Sequence, residues 1–280
     1  MHFVAILTVV AAAWLIRDRF KLSAKKWSER WYQALFLFLF PPLLLITTAA
    51  AVLYMGCHGA MLGVKAGSFG CLVAATLLIF SSCCLFKLAY QSDRALRRLN
   101  NCSQHTVGQT TARILETEIP YSARIGFWDS QLIVSTGLIA VLDEVHLAAV
   151  IAHEQAHHHY RDTFWFFWLG WIRLFTCWLP QTELLWQELL LLRELRADRK
   201  AAETVDFLLL AESLLTVAKS PLESTPNCYV GLNDFRLGDR LNERIDSLLS
   251  SGESVPASRW YDWSWLCLVL LPLLTIPLHY

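Results

Sequence analysis

Charged residues are scarce in this 280-residue chain. Asp, Glu, Lys and Arg make up 17% of it, whereas an average soluble domain is about a quarter charged. Hydrophobic residues make up 55%, and the mean hydropathy is +0.39. This composition argues against an ordinary soluble domain and favours an integral membrane protein. The apolar composition leads us to expect membrane lipid as a partner. Because the formal net charge is zero, we expect no nucleic acid among its partners.

Paired cysteines are lacking as well. The chain has eight cysteines but no C-x-x-C pair, which disfavours a cysteine zinc site and a disulfide framework. Four or five of the cysteines lie in apolar runs, and we interpret them as small buried hydrophobic residues. No internal repeat is visible.

Long apolar runs are present, and two of them suit membrane-spanning helices. Residues 34–55 and 67–86 reach the roughly 20 apolar residues that a span requires. Residues 3–16 and 263–278 reach this length only with their flanking residues. Residues 3–16 also lack the basic start and the cleavage site of a signal peptide, so we expect an anchor that is retained.

Lysine and arginine are distributed unevenly between these runs. Six of them lie between the first two runs, Lys65 alone lies in the next loop, and four follow the third run. The positive-inside rule therefore places the N-terminus outside and the polar region after residue 87 in the cytoplasm. We expect three parts: membrane segments within 1–90, a cytoplasmic region in 91–259 and a C-terminal membrane segment in 260–280.

The polar region contains signals for both strands and helices. Residues 120–136 are rich in β-branched and aromatic residues on both sides of Asp129-Ser130, which predicts a β-hairpin. We interpret 92–118 as helix or irregular structure and 220–236, which contains two prolines, as a loop. Helical spacing of apolar residues occurs in three stretches: from about Asp143 onward, in 183–215 and in 240–249.

The first helical stretch contains a metal-binding pattern. In "LAAVIAHEQAHHHYRD", His153, Glu154 and His157 form H-E-x-x-H. Positions four residues apart lie on one face of a helix, so both imidazoles can bind a single zinc ion. Glu154 can then take a proton from a water that zinc activates. The alternative is a histidine-rich, solvated helix end, but the apolar "LAAVIA" before the motif favours a buried face.

A hydrolytic zinc site needs a third protein ligand and an open position. Glu194 and Asp198 in "ELRAD" are also four residues apart, so Glu194 can bind the metal while Asp198 holds a histidine ring. Asp162 is another candidate for holding a ring. The alternative is that Glu194 and Asp198 belong to a charged surface face together with the neighbouring arginines.

An apolar segment separates the two parts of this site. Residues 164–193 contain two helical arms on either side of Pro180, which predicts an apolar hairpin. Because the arms are similar in length, the hairpin returns Glu194 to the level of His157. The polar motif with His157 then lies next to an aromatic run because the chain enters the lipid and returns between His157 and Glu194. The tryptophans of this segment suit a membrane interface, and core packing is an equal interpretation.

With these motifs, the chain resembles a known group of proteins. The stretch "SARIGFWDSQLIVSTGLIAVLDEVHLAAVIAHEQAHHHYRD", followed by "ELRAD" and "RLNERIDSLL", is similar to membrane-embedded gluzincin peptidases. Their best-known member is the protease module of bacterial β-lactam sensor-transducers, and the CaaX-prenyl and heat-shock membrane zinc proteases are more distant relatives. The resemblance implies that His153, His157 and Glu194 bind Zn²⁺ and that Glu194 and Asp198 act as a unit.

The resemblance also implies roles for residues outside the metal ligands. It implies an edge strand at 123–128, along which an extended substrate pairs through backbone hydrogen bonds. The residues of this strand that we expect to contact substrate are Ala123, Arg124, Ile125, Gly126 and Phe127. Arg244 matches an arginine in an "RI" motif that these peptidases have near the end of the catalytic region. Its role is either to support the transition state or to stabilise the structure, and we weigh the two equally.

The sequence therefore predicts a mainly α integral membrane protein of the bacterial plasma membrane. We expect about four transmembrane helices, the apolar hairpin, and a cytoplasmic zincin-like α+β region with a small β-hairpin. The expected function is a zinc-dependent endopeptidase that hydrolyses protein or peptide substrates, with Glu154 as the general base. Sensor-transducers continue into a large extracellular domain, whereas this sequence ends at Tyr280, so we expect the protease core without β-lactam sensing.

Two other functions were weighed. One is a non-catalytic membrane signalling or scaffold protein that binds zinc for structure, in which Glu154 would be dispensable. The other is a transporter or channel, which the scarcity of ionisable residues in the spans disfavours.

Overall fold

The fold was analysed in a computed structural model. It describes residues 2–19, 27–57, 60–61, 64–65, 67–99, 102–107, 110–219, 237–249 and 263–278. The predicted loop at 220–236 lies outside these residues. The chain divides into two compact units. Unit 1 comprises Met1–Leu88, Leu169–Leu189 and Pro256–Tyr280, and unit 2 comprises Ala89–Trp168 and Leu190–Val255.

Most described residues are helical, and a small sheet accompanies them, as the prediction of a mainly α protein requires. The helices are α1 His2–Arg19, α2 Trp27–Met55, α3 Ser68–Leu99, α4 Thr136–Val141, α5 Glu144–His159, α6 Asp162–Phe175, α7 Thr182–Ala201, α8 Phe207–Lys219, α9 Leu237–Leu249 and α10 Leu266–Val269. The strands are β1 Ala60–Met61, β2 Val64–Lys65, β3 Gln104–Val107, β4 Thr110–Leu115, β5 Ser122–Ile125 and β6 Gln131–Ser135.

Two helices in the described part of the chain are long and apolar enough to cross a membrane. They are Glu29–Met55 within α2 and Ser68–Leu99, which is α3. Their most apolar windows are 61% and 22% buried, respectively, so α3 has the more exposed apolar surface. These helices contain the predicted span 34–55 and all but the first residue of the predicted span 67–86. The larger number of about four transmembrane helices stays a prediction.

The predicted apolar hairpin is present as α6, a short turn and α7. Two contacts show that the helices run antiparallel: Arg173 forms an ion pair with Glu183 at 2.9 Å, and Arg193 lies over the Phe166 ring at 4.9 Å. Pro180 lies in the turn, where its missing N–H cannot continue a helix. The 14 residues of α6 extend about 21 Å, which is shorter than a hydrocarbon core of about 30 Å.

A buried arginine fixes this turn within unit 1. The Arg17 guanidinium donates hydrogen bonds to the hydroxyl of Thr182 and to the carbonyl oxygens of Leu37 and Phe38, at 3.1 and 3.0 Å. Three backbone segments, from α1, α2 and the start of α7, are therefore joined by one side chain. Because an unpaired buried guanidinium is costly, these contacts stabilise this arrangement of the three segments.

The last apolar segment consists of two short helical parts. Residues 263–278 do not form one continuous membrane helix; they form α10 and a 3₁₀ helix at Leu271–Leu278. Pro272 and Pro277 lie in the second part, and their missing N–H groups prevent a regular α-helical ladder. The Thr47 hydroxyl donates to the Val269 carbonyl at 2.7 Å and holds this segment on α2.

The sheet of unit 2 has the strand order β3-β4-β6-β5. β4 and β6 are parallel, and the two outer pairs are antiparallel. The hairpin predicted at 120–136 is confirmed, because β5 pairs with β6 with Ala123 opposite Ile133. The interpretation of 92–118 as helix or irregular structure is wrong beyond Leu99, since β3 and β4 follow. Their β-branched residues pair with each other and support a pleated surface.

Helices α4 and α5 pack on this sheet. Buried side chains of β4, β6, α4 and α5, among them Leu132, Val134, Leu138 and Ile151, form one apolar cluster. The helix predicted over 183–215 is in fact α7 and α8, separated at 202–206. Asp206 ends this break, because its carboxylate accepts a hydrogen bond from the Leu208 N–H at 2.8 Å and caps α8.

Candidate metal centre

Helix α5 positions the H-E-x-x-H motif. Asp143 caps its first turn by accepting a hydrogen bond from the His146 N–H at 2.9 Å. The apolar face of α5 is buried in unit 2 and includes Ala149 and Ile151. His153 and Glu154 follow on this buried stretch, 7% and 6% exposed. The motif is therefore held inside the unit, and the solvated helix end considered from sequence is wrong.

Helix α7 places a carboxylate against both histidine rings. Ligand atoms of His153, His157 and Glu194 all lie within 4.8 Å of one another. The two Nε2 atoms are 3.0 Å apart, and the Glu194 oxygens lie 3.3 Å from Nε2 of His153 and 3.7 Å from Nε2 of His157. The structure thus brings together the three residues predicted as metal ligands.

Two further carboxylates hold the opposite sides of the rings. Nδ1 of His157 lies 2.7 Å from an Asp162 oxygen, in hydrogen-bonding geometry. Nδ1 of His153 lies 2.8 Å from Asp198, although without the alignment of a hydrogen bond. Both carboxylates are 2% exposed. Asp162 and Asp198 therefore stand where the sequence analysis expected them, behind the rings rather than between them.

Arginines neutralise these buried carboxylates. Arg244 binds Asp198 through two hydrogen bonds of 2.7 Å and lies 3.5 Å from Glu194. Arg196 donates to Asp162 and lies over the Tyr160 ring at 4.2 Å. The position of Arg244 accounts for a structural role. Its contribution to the transition state stays a prediction.

The carboxylates make the space between the rings favourable for positive charge. Burial alone lowers the pKa of His153, but Asp198 and Glu194 outweigh it and raise that pKa to about 9. Burial opposes the charged form of His157 as well, and Glu194 and Asp162 still raise its pKa. Burial alone would raise the pKa of Glu194, yet Arg193 and both imidazoles hold it well below its usual range. Glu194 is therefore an anion, and it faces two imidazole rings whose cationic forms are stabilised by the neighbouring carboxylates.

This donor set fits zinc. Two imidazole nitrogens and a carboxylate are common zinc ligands, and ligand atoms about 2.1 Å from a tetrahedral centre lie about 3.4 Å from one another. The three separations of 3.0, 3.3 and 3.7 Å bracket this value. His153, His157 and Glu194 would hold the ion, and Asp162 and Asp198 would orient the rings.

Strand β5 lies beside Glu154. The Ser122 hydroxyl donates a hydrogen bond to Oε1 of Glu154 at 2.8 Å, and Nε of Arg124 donates to the Glu154 main-chain oxygen at 2.9 Å. Neither contact was predicted, because nothing in the pattern of 120–136 connects it to a residue 30 positions away. Ala123, Arg124 and Ile125 are at the edge of the sheet, as the predicted substrate strand requires.

The predicted edge strand is too long by three residues. β5 ends at Ile125, and Gly126, Phe127 and Trp128 lie in the turn to β6. Gly126 has φ +142°, and a Cβ there would lie 2.5 Å from the Asp129 carbonyl oxygen. The chain therefore leaves the extended strand conformation at Gly126, whose backbone conformation only glycine adopts without strain.

Aromatic packing holds this turn in place. The Phe127 ring contacts those of Phe164 and Phe167, with centroids at 4.9 and 5.1 Å. Trp128 stacks on Phe164 at 4.9 Å and is 66% exposed. The aromatic start of α6 therefore packs against the turn that follows β5 within unit 2.

The remaining histidines of α5 lie away from the ligand cluster. His146 contacts Asp143 at 2.7 Å and Glu212 at 3.4 Å, and neither of these partners belongs to the ligand cluster. His158 is exposed and shares a hydrogen bond of 2.9 Å with Ser130. The sequence did not predict that Ser122 contacts Glu154, that Arg193 contacts Glu194 or that Arg196 contacts Asp162.

The comparisons with known proteins concern the same region. No curated protein and no solved structure matches the chain. Residues 109–190 match the model of Peptidase family M48. The matched part is less than a third of the 280 residues, and it contains H-E-x-x-H but ends before Glu194. The segment with His153, Glu154 and His157 is therefore similar to Peptidase family M48, which supports a zincin-type metallopeptidase.

Proposed function

We propose that this protein is a membrane-bound, zinc-dependent endopeptidase with its active site on the cytoplasmic side. The observation that carries the proposal is the convergence of His153, His157 and Glu194 within 4.8 Å, with Glu154 on the same buried face of α5. The similarity of residues 109–190 to a peptidase family supports the same chemistry.

Each side chain of the site has a distinct task in this proposal. His153, His157 and Glu194 would hold a zinc ion, which would supply Lewis acidity to the scissile carbonyl group and to a bound water. Glu154 takes a proton from the attacking water and then donates it to the leaving amine. Asp162 keeps the His157 ring in place through Nδ1, so that Nε2 faces the ligand cluster. Arg244 compensates the buried charge of Asp198.

The substrate is an extended segment of a protein or peptide. Among the residues that the structure describes, β5 pairs with β6 on one side only, so its other edge has backbone groups available for an added strand. The cytoplasmic assignment rests on the distribution of lysine and arginine around the apolar runs. The α2 and α3 helices support attachment to the membrane by their length and composition.

Replacing the two glutamates separately tests the proposal. Glu154→Gln should keep zinc and fold but lose turnover by roughly 10²–10⁴-fold, because it removes the general base. Glu194→Gln should lose zinc, because a neutral amide replaces the anionic ligand. The full-length chain is purified in detergent, and zinc content and cleavage of fluorescent, denatured casein are measured. Glu144→Gln is the matched control, since Glu144 lies on α5 but is exposed.

The same variants reveal natural substrates. Protein N-termini are compared between cells that produce the wild type and cells that produce Glu154→Gln. New N-termini should appear only with the wild type. If Glu154→Gln cleaves casein as fast as the wild type, the endopeptidase proposal is wrong and a zinc-binding scaffold takes its place. If Glu194→Gln keeps its zinc, the third ligand lies elsewhere.

A further inference from the structure

One face of β5 contacts Glu154 at two points. Ser122 and Arg124 are two residues apart, so their side chains leave the strand on the same side. Ser122 reaches the carboxylate of Glu154 at 2.8 Å, and Arg124 reaches its main-chain oxygen at 2.9 Å. Strand β5 thus contacts both the side-chain carboxylate and the main-chain carbonyl of Glu154.

The contact with Ser122 decides which way the carboxylate is turned. A glutamate side chain has several rotamers, and a general base works only when an oxygen lies within hydrogen-bonding reach of the proton it takes. A hydroxyl donor on Oε1 restricts this freedom and leaves Oε2 as an acceptor. Because serine is neutral, it does so without removing the negative charge that makes the carboxylate a base.

Ser122 is itself firmly held. The neighbouring Tyr121 exchanges two hydrogen bonds with Ser135: the Ser135 N–H donates to the Tyr121 carbonyl at 2.9 Å, and the Tyr121 N–H donates to the Ser135 hydroxyl at 2.8 Å. Arg124 fixes the other end of β5 through the Ser130 carbonyl at 3.0 Å. A donor on such a rigid element is preorganised for its acceptor.

We propose that Ser122 is a positioning residue for Glu154, which holds Oε1 of that carboxylate through its hydroxyl so that Oε2 is presented to the reacting water. The proposal rests on the proposed endopeptidase function and adds a residue to it. It also gives β5 two tasks: one edge of the strand accepts the substrate, and one face of the strand aligns the base.

Ser122→Ala and Ser122→Thr test this role in the full-length chain. Loss of one hydrogen bond to a charged group should lower kcat for fluorescent casein roughly 10- to 100-fold in Ser122→Ala, while KM and zinc content stay unchanged. Ser122→Thr retains a hydroxyl at a strand position that suits threonine, and it should recover most of the rate. Ser130→Ala, which removes a nearby hydroxyl that contacts His158 instead, should leave kcat unchanged.

A combination with Glu154→Gln separates positioning from general structural damage. If Ser122 acts through Glu154, adding Ser122→Ala to Glu154→Gln should cause no further loss of residual cleavage. The positioning role is overturned if Ser122→Ala lowers cleavage as much in the Glu154→Gln variant as in the wild type. It is also overturned if Ser122→Ala leaves kcat unchanged, or if its effect is confined to KM or zinc content. Glu154→Gln that remains fully active, or wild type without cleavage, overturns the endopeptidase function and the positioning role together.

Discussion

The hydrogen bond between Asp162 and His157 should set how tightly the protein binds zinc. Asp162 is 2% exposed, and its oxygen lies 2.7 Å from Nδ1 of His157. We expect Asp162→Ala to weaken zinc binding, because the His157 ring then loses the acceptor that fixes its tautomer and orientation.

The size of this effect follows from the contact. A hydrogen bond to a charged group contributes about 1.5–3 kcal/mol, and about 1.4 kcal/mol corresponds to a tenfold change in affinity. Asp162→Ala should therefore raise the apparent Kd for zinc roughly 10- to 100-fold. Asp162→Asn keeps an acceptor oxygen but not the charge, so its effect should lie near the lower end. Arg196, which also donates to Asp162, keeps its contact with the Tyr160 ring.

The assay is competition for zinc between the purified, detergent-solubilised chain and a chelating dye. Asp129→Asn serves as the control, because Asp129 is an exposed carboxylate in the turn between β5 and β6. Thermal unfolding of the zinc-free variants shows whether the fold is retained. Wild-type affinity in a folded Asp162→Ala variant would refute the role of this carboxylate.

Three other predictions concern stability and topology. Arg244→Leu should lower the free energy of unfolding by about 3–5 kcal/mol, because Asp198 is left buried without its partner; a wild-type denaturation midpoint would contradict this. Gly137→Ala should destabilise unit 2 by about 1–3 kcal/mol, since a Cβ at Gly137 would lie 2.0 Å from the Glu118 carbonyl oxygen; unchanged stability would show that this approach relaxes freely. A single cysteine at Glu203, introduced without the native cysteines, should react with an impermeant maleimide only after cell lysis; labelling in intact cells would reverse the topology.

Much of the candidate site could be predicted because its parts are local in sequence. His153 and His157 share a helix face through a spacing of four residues, and the apolar stretch before them indicates which face is buried. The Glu194 and Asp198 pair has the same spacing, and the apolar hairpin provided the reason for the two helices to meet. Residue spacing within single helices was therefore enough to predict the ligand cluster.

The parts that were missed depend on contacts between distant residues. Ser122 reaches Glu154 only because β5 pairs with β6 and packs beside α5, and no local pattern encodes that approach. In the sequence, Arg196 is one of several neighbouring arginines that suit a charged surface, whereas in the structure it pairs with the buried Asp162. β3 was overlooked because three of its four residues are exposed, which leaves little of the alternation that marks a strand.

The order of the site residues along the chain has a consequence for synthesis. Glu194 follows His157 by 37 residues, and Arg244 follows Glu194 by another 50. At about 5–20 residues per second, a ribosome completes the histidine pair several seconds before it adds the carboxylate ligand, and several more pass before the arginine that neutralises Asp198. A nascent chain therefore has an incomplete ligand cluster while its apolar hairpin is being made.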